Sequence, residues 1–128
     1  MGQWIAVDLD GTLATWQGDG VIVGEPVPRM VERVRYWLSQ GKQVKIFTAR
    51  ASVSDESMRE RNIAAIENWC VKHIGTILPV TCQKDYDCVE IWDDKAVRVI
   101  RNTGMTENEY RKRKFSGLGE RARTRRMK

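Results

Sequence analysis

Six side chains able to do chemistry fall where apolar runs end. Asp8 and Asp10 follow Trp4-Ile5-Ala6-Val7, Thr48 follows Val44-Lys45-Ile46-Phe47, Lys84 comes just after Val80-Thr81-Cys82, and Asp93-Asp94 follow Val89-Glu90-Ile91-Trp92. Four carboxylates brought to one spot repel strongly, and a hard divalent cation with oxygen ligands, Mg²⁺ above all, offsets that repulsion. An aspartate pair two residues apart, a hydroxyl, an ammonium and Mg²⁺ suit phosphoryl transfer. One carboxylate attacks phosphorus and forms an acyl phosphate, dividing one hard step into two. A second carboxyl group protonates the leaving oxygen and then deprotonates the attacking water. The cation, the lysine and the hydroxyl offset charge on the phosphoryl oxygens. Histidine is not required, and the single one, His73, reads as a packing or surface residue of a helix.

These residues converge only if the runs that carry them are adjacent parallel strands. Trp4-Ile5-Ala6-Val7 is short and wholly apolar, as suits a strand covered on both faces. Val27, Met30, Val31, Val34, Trp37 and Leu38 recur at helical spacing, with Pro28 near the helix start and Gly41 at its close. A second amphipathic helix is expected from about Asp55 to His73, with Ile63, Ile66, Trp69, Cys70 and Ile74 on its buried side and Gly75 as a cap. Gly18-Asp19-Gly20 followed by Val21-Ile22-Val23 predicts a small β-hairpin flap, and Val97-Arg98-Val99-Ile100 a last edge strand. Strand, helix, strand, helix, strand is the order of a parallel sheet, in which ligands bind at the carboxyl ends of the strands.

At these residues the sequence resembles the haloacid dehalogenase (HAD) superfamily of phosphatases. Asp8-Leu9-Asp10-Gly11-Thr12-Leu13 looks like its first signature, Thr48 its second, Lys84 its third and Asp93-Asp94 its fourth, all in the family's order over about residues 3–104. The resemblance implies a three-layer α/β/α, Rossmann-like fold with a mostly parallel sheet. It makes Asp8 the nucleophile and a metal ligand, and Asp10 the general acid/base, whose main-chain carbonyl also reaches the metal. Thr48, with backbone N–H groups around Leu9 and Ala49, would hold the phosphoryl group, and Lys84 would neutralise charge on it. Asp93 would ligate Mg²⁺ directly, with Asp94 close by. Asp at position 10 favours phosphoryl chemistry over the dehalogenase and transport-ATPase branches of the family. Residues 14–27 and 50–83 leave no room for a sizeable cap domain, so an open site is expected. Arg50 is expected on a phosphate, with a surface ion pair as the competing reading. Trp16 in the flap is a candidate for stacking on substrate, or packs the flap onto the body.

Composition bounds the rest. The 128 residues make one domain's worth of chain, 41% hydrophobic and 30% charged, as in a packed globule. No apolar run spans a bilayer, the N-terminus lacks a signal-peptide pattern, and Cys70, Cys82 and Cys88 read as reduced thiols. A cytoplasmic protein with no membrane partner is expected. The net charge of +5 hides a division: residues 111–128 hold nine basic residues and one acid, a balance of +8, whereas residues 1–110 hold 13 and 16, a balance of −3. A phosphatase domain over residues 1–104 is therefore expected to precede a basic tail, 105–128, with a short helix from Thr106 to Lys114 opened by a Thr106/Glu109 capping box and then disorder. Clusters at Arg111–Lys114 and at Arg121, Arg123, Arg125, Arg126 and Lys128 could bind nucleic-acid phosphates, or be simply solvated. The leading expectation is a Mg²⁺-dependent phosphatase acting on a phosphomonoester, with a nucleotide or polynucleotide end as one candidate. The alternatives are a phosphotransferase, or a non-catalytic nucleic-acid-binding module on the same scaffold.

Overall fold

A computed structural model describes residues 2–115. The chain divides into two compact units, Met1–Asp94 and Lys95–Lys128. In the first, the order is β1 (Trp4–Val7), α1 (Pro28–Ser39), β2 (Gln43–Phe47), a short 3-10 turn (Ala49–Ser52), α2 (Glu56–His73), β3 (Val80–Thr81) and β4 (Cys88–Trp92). The strands form one all-parallel sheet in the order β3-β2-β1-β4. This is an α/β, Rossmann-like architecture without a large cap.

Each element has a local cause. α1 starts with Pro28 in its first turn, where the missing N–H costs little, and buries Val31, Val34 and Trp37. Gly41 follows its end at φ +78°, a conformation that side chains with a Cβ rarely adopt. Asp55 caps α2 by accepting from Met58 N at 2.8 Å, while Lys72 and His73 lie in the last turn, where the helix dipole favours positive charge. β1 is buried along its whole length, as its unbroken apolar run predicts. Ile5 and Val7 of β1, Val44 and Ile46 of β2, the buried face of α1, and Ile66, Trp69 and Cys70 of α2 form one continuous core. Both helices therefore cover the same face of the sheet, as two successive right-handed crossovers in one direction require. The chain then returns to place β4 on the far side of β1. That reversal makes the carboxyl end of β1 the topological switch point, where open parallel sheets form their crevices.

Two expected strands are absent from the described residues. Residues 18–24 form a loop of bends rather than a hairpin. Pairing is confined to its base, where Thr15 N donates to Glu25 O (2.8 Å) and Val27 N to Leu13 O (2.8 Å). The loop is anchored by Trp69 Nε1, which donates to Gly24 O at 2.8 Å in the interior. A Cβ on Gly24 would collide with the main-chain oxygen of Thr15. Gly24→Ala should therefore force the base of the loop apart and destabilise the protein by about 3 kcal/mol, read as a lowered denaturant midpoint at unchanged slope.

The second unit corrects the edge strand at Val97–Ile100. Only Val99 pairs, through an antiparallel bridge to Thr106 that closes a tight turn with Asn102 at φ 66° and Gly104 at φ 71°. The polar 101–104 segment supplies that turn, so the 97–100 run folds back locally instead of extending a sheet. Thr106 and Glu109 do form the expected capping box: Glu109 N donates to Thr106 Oγ1 (3.2 Å), and Thr106 N donates to Glu109 Oε1 (3.3 Å). The helix it opens is described over 107–115. The second basic cluster lies outside the described residues. Among the described residues, no helix is long and apolar enough to cross a membrane.

Candidate functional site

The site grows out of the end of β1. Asp8 N donates to Trp92 O at 2.8 Å, extending the β1–β4 ladder by one residue and setting Asp8 beside the residue that follows Trp92, Asp93. The chain then turns sharply, with Leu9 O accepting from the amides of Thr12, Leu13 and Ala14. Gly11 stands at φ +89°, and a Cβ there would lie 2.8 Å from Asp94 Oδ2, so only glycine lets Asp94 approach this turn. Thr12 Oγ1 sits between two carboxylates, 3.2 Å from Asp8 Oδ2 and 3.3 Å from Asp94 Oδ1.

Asp8, Asp93 and Asp94 each present a carboxylate oxygen within 4.8 Å of the others. The Asp8 carboxyl is pushed up to about 7, first by burial, then by its contact with Asp94 and the charge of Asp93, against which the Thr12 hydroxyl works only partly. Three hard oxygen donors whose burial and mutual repulsion raise a carboxyl this far form a donor set suited to a divalent oxygen-loving cation. Ligands about 2.1 Å from Mg²⁺ lie at most about 4.2 Å apart, so a small contraction of the cluster would seat the ion.

The fourth expected carboxylate turns away from this cluster. Asp10 Oδ2 accepts from Arg50 Nε at 2.8 Å and Oδ1 from Arg50 Nη2 at 2.8 Å, a bidentate pair whose arginine is buried. Its side-chain oxygens therefore take no part in the metal cluster. Arg50 pairs with Asp10 in the interior and not at the surface, and Gly20 O, Val21 O and Ile22 O of the loop accept from its remaining N–H groups.

Thr48 sits at the end of β2, next to β1, and is buried. Its N–H donates to Thr81 O (2.9 Å), and its hydroxyl accepts from Arg50 N (3.1 Å), which starts the 3-10 turn with Ala49 exposed at its head. The main chain of Leu9 borders the same crevice, with its side chain in the core. Lys84 is not brought to the cluster. It is exposed, and its charge is felt at the Cys88 thiol. Cys88 pairs with Trp4, four residues of strand, or roughly 13 Å, from the Asp8 level. The cause is the short link from β3 to β4. Asp85 in this link is bonded by Trp4 Nε1 at 2.8 Å, and Asp87 O accepts from Trp4 N, so the link is tied to the amino end of β1. Trp16 is exposed rather than packed on the body.

Sequence reasoning missed three contributors. Thr12 has a signal, a hydroxyl four residues after Asp8 inside a turn. Asp19 also has one, an Asp-Gly pair, and its Oδ1 accepts from Val21 N (2.9 Å) and Ile22 N (3.3 Å). The pairing of Arg50 with Asp10, forty residues apart in the chain, has none.

No family model matches the sequence, nor does any curated protein. Among solved structures, one from Bacteroides thetaiotaomicron, described as a conserved protein, is 19% identical with a TM-score of 0.52, over 80% of this chain and 84% of that one. At that identity the likeness shows the fold alone, an α/β parallel sheet.

Proposed function

We propose that this protein is a Mg²⁺-dependent phosphatase of the haloacid dehalogenase type, hydrolysing a phosphomonoester through an aspartyl phosphate on Asp8. The observation that carries the reading is the trio of Asp8, Asp93 and Asp94 at the ends of adjacent parallel strands, with Asp10 two residues beyond Asp8 and held separately by Arg50.

The residues act in two steps. A carboxylate oxygen of Asp8 attacks phosphorus, and the ester P–O bond breaks as Asp10 gives a proton to the leaving oxygen. Water then attacks the aspartyl phosphate, Asp10 takes its proton, and inorganic phosphate leaves with Asp8 restored. Asp8 and Asp93 would hold Mg²⁺, with Asp94 alongside and the Asp10 main-chain carbonyl as a further ligand, and the ion would offset charge on the phosphoryl oxygens. Thr48 and the main-chain N–H groups of Leu9 and Ala49 would hold those oxygens. Lys84 has no part in this scheme. Among the described residues the first unit builds no large cap, which suits a large substrate, and a nucleotide or a phosphorylated polynucleotide end is the class we favour. The basic residues of 107–115 and beyond would supply affinity for such a backbone.

The test is phosphate release from a small aryl phosphate and from a 3′-phosphorylated oligonucleotide, with Mg²⁺ or with a chelator. Release that requires Mg²⁺ is expected from both, with the oligonucleotide preferred at low salt. No release from either, by a folded protein shown to bind Mg²⁺, would overturn the reading.

A further inference from the structure

The Arg50 guanidinium has five N–H donors, and five acceptors surround it. Nε meets Asp10 Oδ2 and Nη2 meets Asp10 Oδ1, both at 2.8 Å; Nη2 also reaches Ile22 O (3.2 Å), and Nη1 reaches Gly20 O (3.0 Å) and Val21 O (3.4 Å). The residue that carries this fork is itself fixed from two sides. Its N–H donates to Thr48 Oγ1 at the end of β2, and its carbonyl accepts from Asn62 Nδ2 of α2 at 3.0 Å. The loop is gripped in a complementary way, since Asp19 takes the amides of Val21 and Ile22 while Arg50 takes the carbonyls of 20–22. One rooted side chain thus holds both the seat of the loop and the carboxylate two residues after Asp8.

We propose that Arg50 is a positioning residue that couples the 19–22 turn to Asp10, so that seating this loop and orienting the acid for the leaving group are a single event. The catalytic half of this proposal rests on the phosphatase reading above; the coupling between loop and Asp10 does not. Arg50 spends its whole fork on these partners and has no donor left for a phosphate. Asp10 gives Arg50 two of its four lone-pair sites. Val21, Ile22 and Trp16 are all exposed on the seated loop.

The experiment compares Arg50→Lys, Arg50→Ala, Asp10→Asn and the Arg50→Ala/Asp10→Asn double variant. Lysine keeps the charge but cannot bridge both carboxylate oxygens and three carbonyls. Two readouts are taken. In the first, kcat and KM are measured for 4-nitrophenyl phosphate, whose leaving group needs little protonation, and for an alkyl phosphate, whose leaving group needs it. Arg50→Lys should lower kcat on the alkyl ester roughly 10²-fold and on the aryl ester less than about tenfold, with KM little changed and the double variant no slower than Asp10→Asn. In the second, chymotrypsin cleavage after Trp16, identified by mass, should be at least about tenfold faster in the Arg50 variants without substrate, because the loop opens more often. A KM rise shared by both esters, with losses that multiply in the double variant, would make Arg50 a phosphate ligand and overturn the proposal. Unchanged cleavage at Trp16 would overturn the coupling. If wild type releases no phosphate at all, the phosphatase reading falls and the cleavage rate alone decides whether Arg50 seats the loop. If Arg50→Ala does not fold, Arg50→Lys carries both readouts.

Discussion

Asp8→Asn is expected to abolish phosphate release while leaving the fold intact, with kcat lowered on the order of 10⁴-fold or more. The amide cannot form the acyl phosphate, and it removes one donor from the carboxylate trio that would hold the cation. The fold should survive because the backbone of Asp8 is fixed by its N–H to Trp92 O, a bond the substitution keeps. The contrasting variant is Asp93→Asn, which leaves the nucleophile and should act through metal affinity, so that part of its loss is recovered at high Mg²⁺. Rates measured over a Mg²⁺ titration for both variants make the comparison. Asp8→Asn retaining more than a small fraction of wild-type turnover would remove Asp8 as the nucleophile.

The second large effect is on stability. The Asp8 carboxyl lies at 3.8 in its ordinary environment and near 7 in the folded protein. Between those values the native state holds a proton that the unfolded chain has released. The raised carboxyl therefore favours the fold fully below about pH 4, and this contribution is lost as pH rises through 7. A divalent cation binds the ionised form, so its effect must run the other way, small at pH 5 and large at pH 8. At a free Mg²⁺ concentration 100 times its Kd, the gain is about 2.7 kcal/mol, or roughly 10 °C in Tm for a domain of this size. Thermal unfolding followed by circular dichroism at both pH values, with and without Mg²⁺, reads this directly. Metal-free Asp8→Asn should be more stable than wild type at pH 8, because the burial of a charge and its repulsion with Asp93 and Asp94 are gone, and should gain little from Mg²⁺. An equal Mg²⁺ effect at pH 5 and pH 8, or one fully retained in Asp8→Asn, would show that the ion binds elsewhere.

How much of this was legible in the chain follows from the range over which each feature is encoded. The unbroken apolar run of β1 announced a strand covered on both faces, and the spacing of Val31, Val34 and Trp37, with Pro28 before them, announced α1. Thr106 and Glu109 announced their capping box. These depend on neighbours within one helical turn or one strand, where periodicity and capping chemistry act directly. The handing over of apolar runs to Asp8, Thr48 and Asp93-Asp94 was legible for the same reason, and the expected adjacency of those strands matches the observed order.

Other features were decided only when distant segments met. Lys84 follows an apolar run as Asp8 does, but the six residues between a two-residue β3 and β4 are tied to the amino end of β1 by Trp4, and the lysine goes with them. Val21-Ile22-Val23 has strand composition, yet the carbonyls of Val21 and Ile22 are taken by Arg50 and their amides by Asp19, leaving those two residues no backbone groups for a hairpin ladder. Asp10 had the spacing of a cluster member but lies within reach of a buried guanidinium, and a charge-assisted bidentate pair outcompetes a place among like charges. The sequence by itself determined the strand of β1, the two helices and the carboxylates at the strand ends, because these follow from short-range pattern. The tertiary structure alone decided which charge faces which, because an ion pair between residues forty positions apart exists only once the strands between them have packed.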